Sequence, residues 1–201
     1  MKKLWILLVL MLVGSFIAIG VGSTYITPSE LLMALTDRDA SSWFIVYHYR
    51  LPRGLLAILA GAGLAVAGVL LPLAYTLQRK LDIMGLDEES SAGLGLNVKR
   101  VRTGLLAVSV ALAAACVAAI GSIGFIGLLA PHLARRLFGN RHRYLLPGAA
   151  MIGALILVLA DALGRGLKPP LEIPAGIVTA VIGAPYFLYL LLRERKSRGS
   201  G

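Results

Sequence analysis

Six apolar runs, set apart by basic or polar stretches except at Gly121 between the third and the fourth, constrain this chain more than any other feature. They are Leu4 to Val21, Gly54 to about Leu77, Thr103 to Ile120, Ser122 to about Leu137, Tyr144 to Leu163 and Leu171 to Leu192. A helix crossing a bilayer needs about 20 mostly apolar residues, and all but the fourth run are of that order. Of the 201 residues, 58% are hydrophobic and 15% charged. A soluble domain of this size leaves much of its surface in water and cannot hide so much apolar area. The sequence therefore predicts an all-α integral membrane protein of about six transmembrane helices. A water-soluble enzyme, a disordered chain and a coiled coil are excluded.

The formal net charge is +10, which in a soluble protein would point to nucleic acid. Here the basic residues fall in short clusters between apolar runs, with no stretch of interleaved aromatic and basic residues, so a nucleic-acid partner is not expected. Six crossings put both termini on one side of the membrane. The loops of that side carry Lys2, Lys3, Arg79, Lys80, Lys99, Arg100, Arg102, Arg135, Arg136, Arg141, Arg143, Arg193, Arg195, Lys196 and Arg198. Basic loops stay in the cytoplasm, so both termini are predicted to be cytoplasmic. Only Arg38, Arg50, Arg53, Arg165 and Lys168 remain for the outer side.

The chain is predicted to form one transmembrane domain. Residues 1–53 hold the first helix and an outward segment, and 54–78 the second helix. Residues 79–102 form a cytoplasmic loop, 103–192 four further helices, and 193–201 a cytoplasmic tail. The first run is expected to be a retained helix, since Ile17 to Gly22 offers no Ala-x-Ala cleavage site; a signal peptide is the alternative. Thr27-Pro28-Ser29-Glu30 carries a helix-start pattern, and Trp43 to Tyr47 suits an interfacial segment too short to span. The fourth run holds Pro131 and His132 and could be a half-helix, provided protein covers it rather than lipid.

Lipid gives helices no hydrophobic reason to associate, so small residues that let backbones touch become important. Gly61, Gly63 and Gly68 supply them in the second span, and Gly121, Gly124 and Gly127, spaced by three, fall on roughly one helical face. Gly61-Ala62-Gly63 lacks the third glycine and preceding strand of a dinucleotide loop, and no Walker-type loop exists. The single cysteine, Cys116, excludes disulfide scaffolds and cysteine metal centres. His132 is more simply a packing residue than a ligand, and His48 and His142 share no metal-ligand spacing with it. Asp161 lies one helical turn from Arg165, so a structural ion pair is expected. Glu172, beside Pro169 and Pro170, is expected to cap the last helix. No nucleophile–base pair or paired carboxylates are present, so no catalytic site, metal or cofactor is predicted.

Several segments resemble the permeases of ABC importers for iron-siderophores, haem and cobalamin. They are Tyr49-Arg50-Leu51-Pro52-Arg53 with Gly61 to Gly68, Gly121 to His132, Asn140 to Gly148, Leu159-Ala160-Asp161, Leu171 to Gly176 and Ile182 to Pro185, in the family's order. Such permeases have about ten spans. Here the second helix breaks off near Leu70-Leu71, and Pro72-Leu73-Ala74-Tyr75 resembles the end of the family's sixth helix. The helices between them are missing from this chain.

The resemblance implies a bacterial inner-membrane permease subunit that is not itself an enzyme. Its implied partners are a separate ATP-binding subunit, a periplasmic or lipid-anchored substrate-binding protein and a second permease subunit. It implies that Arg50, Arg53 and Arg165 pair with glutamates on the binding protein; interfacial anchoring is the plainer alternative. It also implies that Leu86, Asp87, Glu88, Glu89, Ser90, Ser91, Ala92, Gly93, Leu94, Gly95 and Leu96 form the coupling segment that docks on the ATPase. The competing expectation is a truncated or engineered membrane protein of the same descent that no longer transports.

Overall fold

A computed structural model describes residues 2–22, 26–37, 42–83, 98–121, 123, 125–139, 142–167 and 171–198. The elements are α1 (Lys2–Gly20), α2 (Pro28–Thr36), α3 (Trp43–Ile45), a π turn (Val46–Arg50), α4 (Leu51–Ile83), α5 (Val98–Ile120), α6 (Ile126–Phe138), α7 (His142–Gly166) and α8 (Ala175–Arg198). No strand occurs among the described residues. Four helical stretches are long and apolar enough to cross a membrane: Lys2–Gly20, Trp43–Leu73, Arg100–Ile120 and Arg143–Gly166. A shorter apolar stretch, Ala175–Tyr189, opens α8. The expected all-α membrane fold is present.

The second span departs from expectation at its start. Trp43 to Tyr47 is not a separate interfacial piece; it leads into α4 through the π turn. Pro52 explains both the continuity and the wide turn. A proline in a helix cannot bond the carbonyl four residues back, and its ring crowds that carbonyl. The chain relaxes by opening one turn ahead of it, so that the Leu51 N–H reaches back five residues to the Val46 carbonyl. The aromatic residues of this stretch still line the helix together: Trp43 stacks on Tyr47 at 5.3 Å and Phe44 on His48 at 4.5 Å between ring centroids.

Helix α4 is the centre of the bundle and packs against α5, α6 and α7. Its small residues make this possible. A Cβ on Gly61 would overlap the Gly153 carbonyl of α7, and one on Gly153 would overlap the Gly61 carbonyl in return. A Cβ on Gly68 would overlap the Gly127 carbonyl of α6, and one on Gly63 would stand 2.6 Å from the Cys116 sulfur of α5. Two seams, to α6 and α7, thus close with helix backbones almost touching, and the third, to α5, closes on the Cys116 side chain, as expected where dispersion rather than water exclusion joins helices. The core around them is formed by Leu64, Ala65, Val69, Ile126, Ala130, Ala149, Ile152, Leu157 and Val158. In α1 and α5 most side chains point outward, towards what would be acyl chains.

The Gly121–Gly127 run is divided rather than helical throughout. Gly121 has φ +97° and no atom near its Cβ position, and its N–H bonds the Val117 carbonyl. It ends α5 in the left-handed region glycine favours and does not pack as a face residue. Gly124 lies outside the described residues; Gly127 packs as expected. Helix α6 has 13 residues, or about 20 Å, too short for a hydrocarbon layer of about 30 Å. It begins beside Leu64 and Gly68 of α4, part-way along that helix, and Ile126, Ala130, Pro131 and Ala134 are buried. This is the protein-covered half-helix that the sequence allowed.

The helices alternate in direction. Helix α1 ends, α4 begins, α5 ends, α7 ends and α8 begins at one end of the bundle, where Arg53, Ile120, Asp161 and Glu172 line a common cavity of about 320 Å³. At the opposite end, Lys3 Nζ donates to the Leu137 carbonyl at 2.9 Å, tying the start of α1 to the last turn of α6.

Candidate functional site

A cluster of charged residues gathers at the end of the bundle where α1 stops. A helix terminus leaves four carbonyls without partners, and where protein buries them away from water they need other donors. Two arginines from other helices supply them. Arg50 Nη1 donates to the Ile19 and Gly20 carbonyls at 2.6 and 3.0 Å. Arg165 donates from Nη2 to the Ala18 carbonyl and from Nη1 to the Val21 carbonyl, both at 2.9 Å. Both side chains are buried. Gly22 lets Arg50 lie flat there, since a Cβ on it would stand 3.0 Å from Nη2. The positive guanidinium groups also face the negative end of the helix dipole.

Asp161 is the buried centre of the cluster. Its Oδ2 accepts from Arg165 Nε at 3.1 Å and its Oδ1 from Arg53 Nε at 3.0 Å. The expected Asp161–Arg165 pair is therefore present. Arg53 extends the chain of charges outward, with Nη1 donating to Glu172 Oε2. Glu172 thus pairs with Arg53 and does not cap the last helix, which starts at Ala175. The pairing holds because residues 171–174 are drawn against α7: the Ile173 N–H bonds the Gly164 carbonyl at 3.0 Å, and Gly164 has no Cβ to block it.

The structure thus brings Arg50, Arg53 and Arg165 together at one end of the bundle but gives them different exposures. Arg50 and Arg165 are turned into the protein, whereas the Arg53 side chain is 40% exposed, beside a Glu172 side chain that is 47% exposed. The spacing of Asp161 and Arg165 revealed their pair. The roles of Arg53 and Glu172 at Asp161, 108 residues from Arg53, carried no local signal. Leu86, Asp87, Glu88, Glu89, Ser90, Ser91, Ala92, Gly93, Leu94, Gly95 and Leu96, expected to couple to an ATPase, lie outside the described residues. His132 packs edge-on to Tyr186 with ring centroids 6.1 Å apart. No group of three or more His, Cys, Asp or Glu residues that could hold a metal occurs among the described residues.

Against known proteins, the model of the FecCD transport family matches in two pieces, residues 10–72 and 69–193, which meet inside α4. The Fe(3+)-citrate import system permease protein YfmE of Bacillus subtilis (strain 168) is 35% identical, over 96% of this chain and 95% of its own length. That alignment runs over 317 positions while the chain has 201 residues, so a long internal stretch of the relative has no counterpart here. The hemin transport system permease protein HmuU of Yersinia pestis is 48% identical over 120 residues, which are 60% of this chain but only 36% of that protein. A solved chain assigned to the metal-chelate type of ABC transporter, in an inward-facing conformation, has the same fold. It superposes with a TM-score of 0.74 at 22% identity, over 96% of this chain and 99% of that one. Near Pro72, where the second helix breaks off in the sequence, the two matched pieces join in a single continuous helix. With both pieces in order and nearly the whole length accounted for, the chain is a multi-pass membrane protein that belongs to the FecCD transport family.

Proposed function

We propose that this chain is the membrane-spanning subunit of an ABC importer, carrying an iron chelate or haem across the bacterial inner membrane. Energy would come from ATP hydrolysed in a separate subunit. The observation that carries the reading is the family match over residues 10–72 and 69–193; the relatives' iron-citrate and hemin names favour these substrates over cobalamin. In this reading the end bearing Lys3 and Leu137 faces the cytoplasm, with both termini, in keeping with its basic loops. The segment Leu86–Leu96 docks on the ATPase. A second permease subunit completes the pathway, and a substrate-binding protein docks at the arginine end. Arg53 is its principal contact, because Arg50 and Arg165 are committed to the α1 carbonyls.

A second reading has its own support. The chain lacks an internal stretch that its relatives possess, and spans 36% of the hemin permease. A protein of this descent could hold the bundle without a complete translocation wall. Reconstitution in proteoliposomes with an ATP-binding subunit and a substrate-binding protein separates the two. ATP-dependent accumulation of ferric citrate or haem inside the vesicles supports transport. A folded complex that neither accumulates substrate nor hydrolyses ATP in response to the loaded binding protein supports the second reading.

A further inference from the structure

We propose that Glu172 is a resident stand-in for a docking partner's carboxylate. It closes the outer edge of Arg53 while the end of the bundle is unpartnered, and gives that edge up when a partner's glutamate or aspartate arrives. The inference rests on the reading that a substrate-binding protein docks at this end, and specifies how that contact is made.

Three features support the exchange. Arg53 is gripped from two sides of unequal character. Its Nε is held at 3.0 Å by Asp161, a carboxylate only 8% exposed and shared with Arg165. Its Nη1 is held by Glu172, which is 47% exposed. Loss of the outer grip therefore leaves the guanidinium oriented, with its outer edge presented. The planar fork of that edge matches a carboxylate better than other anions or neutral groups of similar size. Second, the Glu172 side chain is half-exposed, so its carboxylate has solvent to turn into, while the next residue is held by its hydrogen bond to Gly164. Third, an exposed ion pair contributes little net stability, so replacing one carboxylate by another is close to balanced. Docking then proceeds by exchange, and the new contacts around it decide the affinity. Asp161 is the positioning residue of the arrangement, and Glu172 sets how readily Arg53 becomes available.

The test uses the full chain in phospholipid nanodiscs, with the substrate-binding protein of the Bacillus subtilis iron-citrate import system as probe. Affinity is measured at low and high ionic strength for the wild type, Glu172→Gln, Glu172→Asp and Arg53→Ala, with thermal unfolding confirming that each variant is folded. Removing the internal competitor should tighten binding by Glu172→Gln about two- to fivefold at low salt. Its affinity should also fall more steeply with salt, because it forms an ion pair where the wild type only exchanges one. Glu172→Asp, which keeps the charge, should lie between the two, and Arg53→Ala should weaken binding and erase the gain when combined with Glu172→Gln. If Arg53→Ala weakens binding while Glu172→Gln leaves affinity and salt dependence unchanged, the stand-in role is overturned and docking survives. If Arg53→Ala has no effect, or no variant binds, the docking reading itself fails.

Discussion

Asp161 shows how much can depend on one side chain. Its two oxygens are held by two guanidinium groups, and removal of its charge leaves Arg165 buried with an unmatched positive charge. Breaking a buried pair in this way costs about 3 kcal/mol or more, so Asp161→Asn is expected to lower stability by that order. Glu172→Gln, at a half-exposed pair, should cost no more than about 1 kcal/mol. Thermal and denaturant unfolding in detergent compares them; equal losses would contradict the burial difference. A second residue-scale prediction concerns Glu30, outside the spans. Its carboxylate accepts from the Thr27 N–H at 2.8 Å and from the Thr27 hydroxyl at 2.9 Å, while Thr27 Oγ1 accepts from the Glu30 N–H. These bonds hold its pKa below the ordinary value, the backbone bond being the larger cause. A depressed carboxylate stabilises the fold above its unfolded pKa and loses that contribution as pH falls through the folded one. The first turn of α2 should therefore loosen on acidification below the ordinary carboxylate range, and Glu30→Gln should abolish that pH dependence. Amide exchange of Ser29, Glu30 and Leu31 measures it. The helix start at Thr27-Pro28-Ser29-Glu30 was legible because its signals are adjacent, as was Asp161–Arg165 at a spacing of four. Arg53–Asp161 and Arg50–Ile19 were not, because only the packed helices bring those residues together.

At the scale of helices, backbone contact makes selective predictions about glycine. Gly68→Ala should force α4 and α6 apart and destabilise by about 1–3 kcal/mol, the range for overpacking, and Gly61→Ala should do the same against α7. Gly104, with open space around its Cβ position in α5, is the control: Gly104→Ala should be neutral or stabilising by up to about 1 kcal/mol. Equal melting temperatures for Gly68→Ala and Gly104→Ala would show that the seam is not tight. The small-residue content of α4 announced close packing, and its partners Gly153 and Gly127 stood in runs that were also rich in glycine. The fate of Gly121 was hidden, because a spacing of three fits a helix face as well as a broken helix, and only its positive φ separates the two. The continuity from Trp43 into α4 was hidden for a related reason. Proline usually marks a boundary, and here one widened turn absorbs it.

For the whole molecule, the alternation of helices predicts sidedness. In a Cys116→Ala background, single cysteines at Leu171 and Leu137 should react with an impermeant maleimide from opposite faces, Leu171 from outside the cell. Labelling of both from one face would refute the arrangement. Apolar run lengths and basic clusters made the membrane class and the six segments legible. The manner in which two family pieces join was legible only as a break in resemblance near Leu70-Leu71; that the join is one uninterrupted helix required the structure. The four carbonyls at the end of α1 also bear on the order of assembly. Helix α1 precedes both arginines in the chain, yet residue 50 supplies one of the guanidinium groups that complete its final turn, and residue 165 the other. An element synthesised before its partners is thus finished only when they arrive, and a nascent chain halted before Arg165 would hold α1 with half of that turn still open.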